Sequence, residues 1–118
     1  MLNLKKMLTK LCEKVTTKSV TITASHRSGY INFRKIGDLV VCWSPNDFTS
    51  LVSQEYVVLA TIPTGYRPVT NMTVSVQNNR DRSIAILFSP TGELRAFNYS
   101  SAITRSDNGA FFAVWTTV

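Results

Sequence analysis

One histidine, two cysteines and seven carboxylates are the whole supply this sequence offers to acid–base, nucleophilic or metal chemistry. A Ser-His-Asp arrangement would have to use His26, and no GxSxG elbow marks a nucleophile for it. His26, followed by Arg27 and Ser28, reads as an exposed loop residue. Cys12 and Cys42 are far apart and neither has a CxxC partner. A zinc site wants four N, S or O ligands at characteristic spacing, so no metal site and no cofactor is expected. A disulfide is open to the two thiols, but they read better as reduced, core-facing residues. Paired carboxylates for glycoside cleavage would have to come from acids with local explanations of their own. Asp38 and Asp107 sit in turns, Glu93 flanks a hairpin turn, and Asp81 lies between Arg80 and Arg82. The five glycines fall at turns or strand starts rather than in a phosphate-binding loop. The chain therefore reads as a non-enzyme with no catalytic residue.

Binding is better provided for. Tyr30, Trp43, Tyr66, Tyr99 and Trp115 are amphipathic rings suited to stacking on a sugar face or filling a subunit interface. Polar loops at 46–48, 78–82 and 105–108 offer side-chain donors and acceptors. The candidate ligand-binding residues are Tyr30, Trp43, Asn79, Arg80, Asp81, Arg105, Asp107 and Asn108. Charged residues make up 17% of the chain, low beside the ~25% of a typical globular domain. A surface covered by Ser, Thr, Asn and Gln suits sugars or subunit contacts. The net charge is +6, but residues 1–18 hold five lysines against Glu13 alone, so most of the basic character belongs to that segment. Basic residues do not cluster around base-stacking aromatics, and no nucleic-acid partner is expected. The triplets beginning at Asn71 and Asn98 match the glycan-acceptor pattern but fall on or beside strands, where they read as chance matches.

These residues need elements to hold them. Leu4, Leu8, Leu11 and Val15 recur at steps of four, three and four with lysines between them, which predicts an amphipathic helix over residues 1–16. A helix this short is marginal alone, so it packs either on its own domain or on copies of itself about a symmetry axis. After Val15 the period becomes two. Strands are predicted around 16–25, 30–36, 39–43, 55–63, 70–78, 84–88, 94–99 and 109–118, separated by turns every 8–12 residues. Residues 44–54 read as a loop pinned by Phe48, Leu51 and Val52, and TRSDNG at 104–109 reads as a turn. Gly37-Asp38 turns one hairpin. Pro90 and Gly92 turn the clearest one, with Gly92 in the left-handed region. Between two strands stands a stiff corner built by Pro63, Gly65, Tyr66 and Pro68, whose prolines restrict φ on both sides. Its expected role is to move the chain from one sheet to the next. The sum is mainly β: an antiparallel β-sandwich or Greek-key, jelly-roll-like domain over 17–118 with a short N-terminal amphipathic helix. No run of the ~18 apolar residues that a membrane span requires is present, and the first residues do not resemble a secretion signal.

The segments ATIPTGYRPVTNMTVSV, IAILFSPTGELRAFN and GAFFAVWTTV resemble the C-terminal head domains of phage and prophage tail-fibre or baseplate receptor-binding proteins of Gram-positive bacteria. Ile62, Pro63, Gly65, Tyr66, Arg67 and Pro68 match the family's corner. Gly92 and Leu94 match its hairpin, and Phe111, Phe112 and Trp115 its closing strand. The resemblance covers residues 28–118. It implies a β-sandwich head that assembles as a homotrimer, often on a helical stem, and binds cell-surface saccharide. Leu4, Leu8, Leu11 and Val15 would then belong to a trimerisation stem. The expected location is the virion tail, or the bacterial cytoplasm before assembly. In the family such a head usually ends a longer fibre chain; here it is either a stand-alone protein or a head whose shaft lies upstream. Three other readings stand beside this one. The first is a structural or assembly module without a ligand, and the second a glycan-cleaving enzyme. The third is a small trimeric jelly-roll ligand of cell receptors, against which the short helix and the lack of a signal or anchor count.

Overall fold

A computed structural model describes residues 3–6, 16–76 and 82–118. Ten strands follow one another: β1 (Thr17–Thr23), β2 (Tyr30–Ile36), β3 (Leu39–Ser44), β4 (Asp47–Phe48), β5 (Tyr56–Thr61), β6 (Met72–Ser75), β7 (Ile84–Phe88), β8 (Glu93–Asn98), β9 (Asp107–Asn108) and β10 (Phe111–Thr116). They form two four-stranded antiparallel sheets, ordered β1-β2-β3-β10 and β5-β8-β7-β6, and a small β4-β9 ladder. In the second sheet β6, β7 and β8 run as a meander that brings β8 back beside β5, which is Greek-key order.

The period-two pattern decides which way each strand faces. Ile31 and Phe33 of β2, Val40 and Cys42 of β3, and Phe111, Ala113 and Trp115 of β10 are buried on the inner face of the first sheet. Ile84, Ile86, Phe88, Leu94 and Ala96 answer them from the second. Rings join the two layers. Trp115 packs against Phe33 at 6.3 Å between centroids and against Phe88 at 4.8 Å, and Phe88 meets Phe111 at 6.0 Å. The sandwich is thus sealed by residues whose neighbours in sequence point outward, as alternation requires. Cys42 is a free, buried thiol, and burial pushes its pKa well above the ordinary range, with the nearby Arg27 cation pulling only partly back.

Two expectations are revised, and a third falls mostly outside the described residues. Of the helix predicted over 1–16, the described residues show one turn at 4–6. There the Asn3 side chain accepts from the backbone N–H of Lys5 at 2.9 Å and of Lys6 at 3.4 Å, a helix N-cap, and Leu4 is exposed. Leu8, Leu11 and Val15 lie outside the described residues. The segments read as a loop and a turn at 44–54 and 104–109 contain β4 and β9, paired Asp47 to Asn108 and Phe48 to Asp107. Phe48 and Leu51 are buried there as expected, but Val52 is 47% exposed and pins nothing. The corner, finally, does not pass the chain between sheets. It carries it from β5 to β6, the two opposite edges of the same sheet.

Candidate functional site

The corner is built by contacts rather than by proline alone. Tyr66 N–H donates to Pro63 O at 3.1 Å, closing a turn through Gly65 at φ +92°. Arg67 Nε donates back to Ile62 O at 3.0 Å, and Ile62 N–H donates to Gly92 O at 2.6 Å. From the closing strand, Trp115 Nε1 donates to Tyr66 O at 2.7 Å. The Tyr66 ring leans edge-on to Phe33 at 6.3 Å. Corner, hairpin turn and last strand, distant in sequence, therefore meet in one place. Gly92 sits at φ +99°, and a Cβ built on it would lie 2.6 Å from the Arg67 guanidinium. Gly92→Ala is expected to cost about 1–3 kcal/mol, the range for a non-glycine residue forced into such backbone. Urea unfolding of the variant against the parent measures it.

The candidate ligand residues fall on two regions. Tyr30 and Trp43 stand on the outer face of the first sheet, where Asn32 lies opposite Trp43 and Trp43 opposite Phe112. Asn32 Nδ2 donates to Trp43 O at 3.4 Å, and Asn32 Oδ1 accepts from Thr21 at 3.1 Å. Tyr30 and Phe112 are 57% and 61% exposed, and Ile36, Leu39 and Val114 each keep more than a third of their surface. Arg34 is the one charged residue on this face among the described residues. At its edge, Trp43, Ser44, Pro45, Ser75, Ala110 and Phe112 enclose a shallow cleft of about 300 Å³.

Arg105, Asp107 and Asn108 belong to the second region. Residues 102–107 and Arg82 line a polar cleft of about 310 Å³. Its floor is an ion pair: Arg82 Nε lies 2.6 Å from Asp107 Oδ2, with the acid side chain 4% exposed and the arginine 20%. Arg82 Nη1 also donates to Ser101 O at 2.6 Å and contacts its hydroxyl at 3.2 Å. Asp107 Oδ1 accepts from Asn108 N–H at 2.9 Å, and Asn108 Oδ1 from Ala110 N–H at 3.2 Å. Asp107 and Asn108 thus hold the loop's shape, whereas Arg105 projects from it exposed. Asn79, Arg80 and Asp81 lie outside the described residues.

Two features escaped the sequence reading. Arg27 is buried between the rings of Phe48 and Phe111, at 4.6 and 5.0 Å from their centroids, with its Nη2 donating to Ser44 Oγ and Asn46 O, each at 2.8 Å. Burial lowers its pKa to about 10, against the attraction of Asp47 and Cys42, so it remains a cation at neutral pH and fastens the 44–48 segment under the β4-β9 ladder. No local pattern marks it. The second feature is a row of rings on the outer face of the second sheet. Tyr56 pairs across the ladder with Phe97 at 4.8 Å, and Phe97 meets Tyr99 at 4.4 Å. Arg95 lies over Tyr56 at 4.8 Å and 3.5 Å from the Glu93 carboxylate. Tyr56 and Tyr99 are 55% and 54% exposed. Gln54, at φ +59°, donates from its side chain to Tyr99 O at 2.6 Å and frames the row's end. The alternation of Arg95, Phe97 and Tyr99 was legible; only pairing could add Tyr56.

His26 Nδ1 and Ser50 Oγ are 3.1 Å apart, but among the described residues no acid is hydrogen-bonded to this exposed imidazole. No three of His, Cys, Asp and Glu converge among the described residues, and no helix among them is long and apolar enough to cross a membrane. No protein-family model matches the chain, and no curated protein matches it.

Proposed function

We propose that this chain is a non-enzymatic receptor-binding module of the phage and prophage tail-fibre kind, acting as a homotrimer that recognises cell-surface saccharide from the virion tail. The observation that carries this reading is the polar cleft beside Arg105. Its walls offer hydroxyl, carbonyl and guanidinium groups, and its floor is fixed by the Arg82–Asp107 pair. A concave site with a few placed polar groups is what a sugar requires for orientation.

Assembly draws on the outer face of the first sheet. Its exposed Tyr30, Leu39, Phe112 and Val114, with a single arginine among them, have the composition of a subunit contact, aromatic and poor in charge. Three linked copies would raise weak single-site binding by effective concentration. Light scattering is expected to give three times the 13.2 kDa of one chain, and a printed glycan array is expected to show binding. A monomer would remove the assembly half of the proposal. The same apolar face also favours a second reading, a structural module of a phage particle without a ligand, and a trimer that leaves the whole array blank would establish that one instead.

A further inference from the structure

We infer that the saccharide is an anionic oligosaccharide laid across two adjoining surfaces, with an acidic substituent at Arg105 in the loop cleft and a neighbouring sugar ring stacked on Tyr99 and the ring row behind it. This rests on the saccharide reading above and gives it a ligand class and a direction.

Charge selects the acidic substituent. The cleft holds two arginines and one carboxylate. Arg82 and Asp107 neutralise each other across 2.6 Å, with the acid buried and the arginine one-fifth exposed. That leaves the charge of Arg105, which is exposed and makes no hydrogen bond or ion pair among the described residues. A planar guanidinium facing a polar cleft matches a carboxylate or phosphate better than a neutral hydroxyl.

Continuity selects an oligomer. Ser101, whose carbonyl and hydroxyl receive Arg82, is two residues from Tyr99, a span of at most about 7 Å along the chain. Tyr99 N–H in turn donates to Ser83 O at 2.8 Å, next to Arg82. The wall of the cleft and the start of the ring row thus adjoin along two short segments. On this proposal a sugar unit leaving the cleft passes Ser101 toward Tyr99. The row offers π faces for the C–H side of a pyranose, and Arg95 with Glu93 at its far end supplies partners for hydroxyl groups.

The test uses an array of oligosaccharides of one to six units printed in matched acidic and neutral forms, with uronate and phosphate members as separate arms, probed with the full chain. The parent is expected to bind acidic members at least about tenfold better than their neutral counterparts, the worth of one charge-assisted hydrogen bond, and to lose that preference as salt rises. Arg105→Gln is expected to bind both forms equally. Tyr56→Ala/Tyr99→Ala is expected to weaken both forms and to abolish the gain from the second sugar unit, with its mass unchanged by light scattering. Equal binding of acidic and neutral forms by the parent, or an undiminished preference in Arg105→Gln, overturns the anionic assignment. Unchanged binding in the tyrosine variant, or a drop in its mass, overturns the ring row as a sugar platform, the drop making it a subunit contact. A parent that binds no glycan defeats the saccharide reading itself.

Discussion

Trp115→Ala is expected to lower the unfolding free energy by about 4–8 kcal/mol, from two separable losses. Truncating a buried tryptophan costs about 3–5 kcal/mol through lost burial and the cavity left behind. Here the ring stands between Phe33 of one sheet and Phe88 of the other, so neither layer can close over the hole without moving the other. The second loss is the Nε1 donor to Tyr66 O, which leaves a carbonyl of the corner short of a partner at about 1–3 kcal/mol. Against a typical stability of about 5–15 kcal/mol, the variant stands close to unfolding at physiological temperature. Trp115→Phe separates the terms: it keeps most of the ring, deletes the donor, and is expected to cost about 1–3 kcal/mol. Urea titrations of both variants measure the split. A cost below about 1 kcal/mol for the alanine variant would be incompatible with a core cavity at that site.

Arg82→Ala is expected to cost about 2–4 kcal/mol and to loosen the cleft. Removing one partner of a buried ion pair typically costs about 3–5 kcal/mol. The 20% exposure of Arg82 argues for a discount, since solvent screens part of the attraction. The pair is asymmetric. Without Arg82, a carboxylate with 4% of its surface exposed loses the cation 2.6 Å from it. With Asp107→Asn, the partly exposed guanidinium keeps its bonds to Ser101, and the new side chain can still accept from Asn108 N–H. Arg82→Ala is therefore expected to be the worse of the two. The double variant should cost less than the sum of the singles, with a coupling of about 1–3 kcal/mol in a double-mutant cycle. Amide exchange across residues 101–108 should quicken in Arg82→Ala. Additive costs would show that the two side chains are neighbours without interacting.

Much of the architecture could be read from the chain because it is locally encoded. The facing of β2, β3, β7, β8 and β10 follows from alternation, which needs no knowledge of partners. Gly37 at φ +61° and Gly92 at φ +99° occupy the expected turns, Gly92 in the left-handed region expected of it. The β4-β9 ladder was not legible, because two-residue strands carry no period; Asp47 and Asn108 reveal their pairing only when the chain folds back. Arg27 looked like an ordinary loop cation because the rings that enclose it, Phe48 and Phe111, come from other elements. Arg105 and Asp107 were both nominated as ligand contacts. The structure divides their labour, leaving one exposed and binding the other to Arg82.

Taken alone, the residues dictated an antiparallel β domain, its hairpins, and the inward and outward sides of its strands, since each depends on neighbours a few positions apart. Tertiary structure alone decided the strand order, the corner's path between opposite edges of one sheet, the union of corner with Gly92 and Trp115, and the meeting of Arg82 with the 101–107 loop. Those depend on which distant surfaces exclude water together and which buried charges find each other, and no local pattern carries that information.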